Sequence, residues 1–411
     1  MIDLCAGGIF AAMFGDSSRV IWNAILDLEM EQYPVFCSYS PHRQDYWRDR
    51  YISMLKELTG FESVALFTTG SEATEAFWRC MRVYSGGKPG IWGGLPDPDD
   101  IGKSIARPDA MHGYTLGAMI MGGKLSWPSI GVNPNYPGLG AEKILMPQEA
   151  TCGMIMEPYH APSGQFHRVD PTINRLMERR KEFPDIALCI DEIQGGFGRT
   201  GKLWAHEHYQ RDNKFLLSPD FVTIGKLCGG GLPLSALLGP KEIMEDSVVK
   251  AEAHLHSTHS GNPLMCAVGC KVIEEMQKQG LIDRSARLGE VMHEKLKDSS
   301  VRVHGKGLLA GIELRDNEEA GKVVALCLKR EVQVCDTGRK WVKIGPALNI
   351  EEEKLMEGVK ILMESVEEVV NERLPEAHGA GSEGSEAGSG ISAEIGDAEV
   401  VSPPRDGNLE K

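Results

Sequence analysis

The chain has 411 residues, 42% of them hydrophobic and 25% charged, with a formal net charge of −15 at pH 7. That is the make-up of a globular protein long enough for a large domain and a smaller one. The acidic balance argues against non-specific nucleic-acid binding, which needs a basic face, and no apolar run reaches membrane-spanning length.

The opening, MIDLCAGGIFAAMFG, is apolar but lacks the positive stretch of a signal peptide. Residues 1–40 are expected to form an N-terminal segment, with Ser17 and Ser18 as N-cap candidates before a helix. Over residues 42–58, Tyr46, Tyr51, Met54 and Leu55 recur at helical spacing. FESVALFTTGSEATEAF then reads as strand, turn and helix. Gly70 and Ser71 fall at that helix start, where free N–H groups and the helix dipole suit a phosphate. A serine there is also simply a good cap. Residues 86–110 are rich in Gly, Pro and Asp and read as a surface excursion: a lid, an oligomer contact or a tolerated insertion. MHGYTLGAMIMGG follows, with His112 either a site residue or a hydrogen-bonded loop histidine. CGMIMEPYHAPSGQF reads as a strand ending at Glu157 and Pro158, and residues 170–183 as a helix.

The central stretch runs from Ile186 to Gly231. Its two short apolar runs, IALCI and FVTI, have strand length and are rich in β-formers. One ends in Asp191, the other in Gly225 and Lys226. If the strands are parallel, an acid and an amine stand at their carboxyl ends, where open α/β sheets hold ligands. Beyond lies HLHSTHSGNPLMCAVGC, and a helical pattern from Val272 to Asp298. Cys266 and Cys270 are one turn apart, which suits a packed helix face better than a metal site. The ten cysteines are scattered without a CxxC pair and read as reduced thiols of a cytoplasmic protein. VRVHGKGLLAGIELRD reads as a strand pair, and residues 376–411 as a disordered acidic Gly/Ser/Glu-rich tail.

An apolar strand ending in a lone acid needs a cationic or strongly hydrogen-bonding partner. A pyridinium nitrogen is one, and a lysine at the next strand end supplies an amine for a Schiff base. The wording around both residues sharpens this. DEIQGGFGRTG and SPDFVTIGKLCGGGLPLSALLG resemble the core of the class III aminotransferases, fold-type I enzymes dependent on pyridoxal 5'-phosphate (PLP). The resemblance extends from about Asp3 to about Val369. It implies an α/β fold with a mostly parallel central sheet flanked by helices and a smaller α+β C-terminal domain. The expected division is a large PLP-binding domain over 41–275 and a small domain over 276–375. It further implies that Lys226 is the Schiff-base lysine, Asp191 the partner of the pyridine nitrogen, and Gln194 the amide on the phenolic oxygen. Gly70 and Ser71 match the phosphate loop, and Glu157 an acid that orients its neighbours. Thr258 matches a threonine that binds the phosphate of the neighbouring subunit, so a homodimer with shared sites is implied. The substrates implied are a small amine or amino acid and a keto acid or aldehyde.

Several positions depart from the pattern. The β-rich arm that usually precedes the opening is not seen, so it is lost or lies upstream. Met111 stands where an aromatic residue stacks on the cofactor, with His112 after it. Pro162 replaces a gating glutamate, and Lys343 replaces a carboxylate-binding arginine before Pro346. A lysine is a point charge and lacks the bidentate fork. Glutamate is therefore expected to be a poor amino donor, unless another arginine such as Arg43 replaces the lost contact. Alternatives are a decarboxylase or aminomutase of the same fold, or a non-catalytic relative. A P-loop over Gly196–Lys202 fails at Leu203, where Ser or Thr would bind magnesium. His254, His256 and His259 could be read as metal ligands, but the aminotransferase pattern explains their spacing.

Overall fold

The computed structural model describes residues 1–35, 37, 39–40, 44–87, 90–93, 110–122 and 151–372. The described residues group into one compact unit. Arg43, most of the 86–110 excursion and the 376–411 tail lie outside the described residues.

The central sheet has six strands among the described residues: β1 (Ser63–Phe67), β2 (Gly90–Gly93), β3 (Thr151–Met156), β4 (Ala187–Asp191), β5 (Phe221–Ile224) and β6 (Ser235–Gly239). Their spatial order is β1-β6-β5-β4-β3-β2. β6 alone runs antiparallel to its neighbours, so the sheet is mostly parallel. All five residues of β4 are buried, which explains its unbroken apolar run. Leu188 and Ile190 pack on one face with Met154, Tyr209 and Leu217, while Ala187 and Cys189 pack on the other with Phe77 and Phe221.

The helix Gly70–Tyr84 (α1) covers one of those faces through Ala73, Ala76, Phe77, Cys80 and Met81, spaced by three and four residues. Its cap is Thr69 rather than a serine. Thr69 Oγ1 accepts from Glu72 N at 3.3 Å, and Glu72 Oε2 accepts from Thr69 N at 2.9 Å, a capping box. Ser18 caps the helix Arg19–Met30, accepting from Val20 N at 3.2 Å. Asn262 caps the helix Pro263–Lys278 (α2), accepting from Leu264 N at 3.0 Å, with Pro263 at the helix start. Cys266 and Cys270 are both buried on α2.

A second, antiparallel sheet of four strands follows: β7 (Arg302–Gly305), β8 (Ala310–Glu313), β9 (Cys335–Asp336) and β10 (Trp341–Ile344), in the order β7-β8-β10-β9.

Two local expectations are corrected. Residues 90–93, read as part of a surface excursion, form a strand parallel to β3, the last of this sheet among the described residues. The flanking glycines and prolines hid a run only four residues long. The helical pattern from Val272 to Asp298 is two helices, broken where Gly280 takes a φ of +57° before the helix Leu281–Leu296. A left-handed residue ends a helix, and glycine adopts it without strain.

Candidate active site

Parallel pairing of β4 with β5 sets Asp191 opposite Thr223, so both strands deliver their carboxyl ends to one edge. Asp191 is buried, and its carboxylate is held from two sides. His112 Nδ1 lies 2.8 Å from Oδ2, and Ile193 N donates to Oδ1 at 3.1 Å. The His112 side chain is fully buried, and its Nε2 has no partner among the described residues. Its loop is tied to α1, because Thr74 Oγ1 donates to the His112 carbonyl at 2.8 Å.

Lys226 follows β5 across Gly225 and takes a φ of +51°. A lysine in the left-handed region is strained by about 1–3 kcal/mol, and such strain gathers at functional sites. Among the described residues no hydrogen bond or ion pair engages its amine. Burial lowers the Lys226 pKa, and the Asp191 and Glu157 carboxylates oppose that. The result is a lysine near an acid whose amine is not committed to the protein.

At the start of α1 the N–H groups of Gly70 and Ser71 have no partner among the described residues. Ser71 Oγ accepts from Tyr114 N at 3.3 Å. A β-carbon at Gly70 would lie 2.7 Å from Ile193 Cδ1, and one at Gly225 3.3 Å from Ile193 Cγ2. Ile193 thus packs closely against both the α1 start and the approach to Lys226, and a side chain at Gly70 would have to displace its terminal methyl.

Glu157 follows β3. Its carboxylate accepts from Met111 N at 2.9 Å and from Ala161 N at 3.0 Å. Met111 packs against Tyr159, Ala161, Ala205 and Leu309. Gln194 Oε1 accepts from Lys343 Nζ at 2.7 Å and from Tyr159 Oη at 3.2 Å. Lys343 is 1% exposed and also donates to the Ala161 carbonyl. Thr258 is exposed; its carbonyl accepts from Tyr39 N at 2.7 Å, and the adjacent Ser257 hydroxyl reaches Glu72 at the α1 start.

The family described as Aminotransferase class-III matches residues 1–366. The chain belongs to the class III aminotransferases. An acetylornithine aminotransferase from Archaeoglobus fulgidus is 29% identical over 318 residues, covering 75% of this chain and 77% of that one. The mitochondrial acetylornithine aminotransferase of Debaryomyces hansenii is 29% identical over 331 residues; the match spans 75% of this chain and 66% of that relative, a little under two thirds of its length. Among solved structures, the ornithine aminotransferase of Toxoplasma gondii, described with PLP partly occupying its active site, superposes with a TM-score of 0.69 at 22% identity, covering 90% and 87% of the two chains.

The cofactor of this class III aminotransferase is PLP, and the site fits it. A buried carboxylate backed by a histidine suits a pyridinium nitrogen. Uncommitted N–H groups at a helix start suit a phosphate. An uncommitted lysine suits a carbonyl carbon. Asp191, His112, Gln194, Glu157, Met111 and Lys226 gather where β3, β4 and β5 end, with Gly70 and Ser71 joined to them through Ile193.

Ile193, Tyr159 and the Lys343–Gln194 contact were not picked out from sequence. Ile193 had a signal: it is the one large apolar residue in the turn DEIQGG. The P-loop alternative is contradicted. Residues 195–200 are buried, only a short 3₁₀ turn (Ala205–His208) follows, and Lys202 Nζ donates to the Glu207 carbonyl at 3.0 Å. Among the described residues no helix is long and apolar enough to cross a membrane.

Proposed function

We propose that the chain moves an amino group from a small amine to a small carbonyl acceptor, with Lys226 as the covalent anchor and proton carrier. The observation that carries this reading is the buried His112–Asp191 pair at one strand end, beside an unengaged Lys226 at the next. PLP, when bound, supplies the electron sink that acidifies the carbon bearing the substrate's amine. Asp191, oriented by His112, keeps a proton on the pyridine nitrogen. Gln194 turns its NH2 to the phenolic oxygen. Gly70 and Ser71 hold the phosphate through backbone N–H groups. Ile193 and Met111 would offer the cofactor apolar surface; a thioether can lie against a π face. Glu157 acts through the Met111 and Ala161 backbone. Lys226, with its pKa lowered by burial, moves the proton at the substrate carbon.

The amino donor is an ω-amine or amino ketone rather than glutamate. Lys343 is buried, donates to Ala161 and Gln194, and offers no fork to a carboxylate. Pro162 supplies no counter-charge. Burial, the leading cause, pushes the Lys343 pKa down to about 7. Half-reactions followed at the cofactor's absorbance band test this. L-Glutamate should convert the cofactor about tenfold or more slowly than a simple ω-amine. Glutamate matching the best ω-amine would overturn the donor assignment.

The working unit is a homodimer in which Thr258 serves the partner's phosphate. Thr258 is exposed, which leaves it open to a neighbouring subunit. Mixing a Lys226→Ala subunit with a Thr258→Ala subunit checks it. If the site is shared, the hybrid carries one site with both defects and one with neither, so activity returns. If Thr258 serves its own subunit, both hybrid sites are damaged and nothing returns. The large PLP-binding domain is read as 41–275 and the small one as 276–375, a division that the two sheets support. Ten free cysteines support a reducing compartment, the cytoplasm.

A further inference from the structure

Lys343 occupies a position for which the family pattern gives no role to a lysine. It is almost wholly buried, and strand pairing on both sides fixes its backbone, opposite Gly311 on β8 and Cys335 on β9. Its Nζ lies 5.0 Å from the Phe10 ring centroid and 5.9 Å from that of Tyr159. Its ammonium donates to the Ala161 carbonyl and to Gln194 Oε1. Such a lysine has no freedom to reach for a substrate and swing back.

What it does hold is an amide. A glutamine side chain can present either its oxygen or its NH2 to a neighbour, and a half-turn exchanges them. Here two donors, Lys343 Nζ and Tyr159 Oη, converge on Oε1. Turned over, the amide would lose both hydrogen bonds its oxygen now accepts, and below about pH 7 would set its NH2 against an ammonium. The orientation is thus chosen by partners on two other segments, and the NH2 has no protein partner among the described residues.

We propose that Lys343 is a positioning residue that, together with Tyr159, locks the Gln194 amide so that its NH2 faces the cofactor's phenolic oxygen. This rests on the cofactor assignment made above. An N–H donated to that oxygen favours its anionic form, and the pH midpoint of the bound cofactor's visible band reports the balance. Lys343 therefore sets the cofactor's electronic state through Gln194 rather than by touching substrate.

The test uses the PLP-loaded enzyme with Lys343→Met, Lys343→Arg, Gln194→Ala and the Lys343→Met/Gln194→Ala double variant. The readouts are the pH midpoint of the visible band and the PLP dissociation constant. Gln194→Ala should raise the midpoint by on the order of one pH unit. Lys343→Met should reproduce most of that shift and add nothing in the Gln194→Ala background. Lys343→Arg, which keeps a donor, should restore most of the wild-type midpoint. An unmoved midpoint in Lys343→Met overturns the proposal. So do shifts that add in the double variant, since Lys343 would then act by its charge alone. Should Lys343→Met fail to fold, Tyr159→Phe removes the other donor and must shift the midpoint in the same direction; no shift there also overturns it. Wild-type enzyme with no visible cofactor band would instead sink the cofactor assignment, which keeps the two failures apart.

Discussion

Lys226→Ala should lower turnover by roughly 10⁴-fold or more, because one side chain supplies both the covalent anchor and the proton transfer. The fold should survive. The Lys226 amine carries no hydrogen bond or ion pair among the described residues, so its removal strands no partner. Alanine also tolerates the left-handed φ of +51° no worse than lysine does. Thermal melting without cofactor should therefore stay close to wild type, while borohydride reduction followed by mass measurement should find no cofactor attached. A reducible covalent adduct that persists in the variant would show that another amine is the anchor. Lys343 is the other amine to check. Burial has brought its pKa down to about 7, yet it is committed to Ala161 and Gln194. Comparing Lys226→Ala with Lys343→Met separates the two lysines by attachment rather than by rate.

The parts of this site that could be read from sequence are those written in short stretches. IALCI and FVTI have the length and residue types of buried strands, and their last residues could be placed at a sheet edge because parallel strands end together. What sequence did not reveal depends on contacts between distant segments. His112 meets Asp191 across 79 residues, and Lys343 meets Gln194 across 149. No periodicity encodes either contact; the sheet order creates both. Lys343 shows the cost of a local reading. In sequence it is a charge where an arginine was expected, whereas in the fold it is a buried donor that holds an amide. The strand at 90–93 was missed for the opposite reason, since local glycine and proline signals spoke for a loop and pairing with β3 overrode them.

Asp191→Asn should retain part of its PLP and lose roughly 10²–10³-fold in turnover, since removing a buried anion beside a cationic ring nitrogen withdraws one to three pKa units of support for its proton. The geometry makes this substitution harsher than its size suggests. Asp191 now accepts from Ile193 N on one oxygen and meets His112 Nδ1 on the other. Asparagine has one oxygen for these two neighbours. If the oxygen keeps Ile193 N, the NH2 faces His112, which must change tautomer or lose its bond. If the oxygen keeps His112, the NH2 faces a backbone N–H, and a buried donor goes unsatisfied. Either way the group near the ring nitrogen becomes neutral, and an NH2 there favours the unprotonated ring. Loss of activity should therefore come with a changed cofactor spectrum and weaker PLP retention on dialysis, while the sheet stays intact because β4 is packed by Leu188, Cys189 and Ile190. Turnover within a few fold of wild type, with an unchanged spectrum, would show that Asp191 serves the loop from Ile193 onward and not the cofactor.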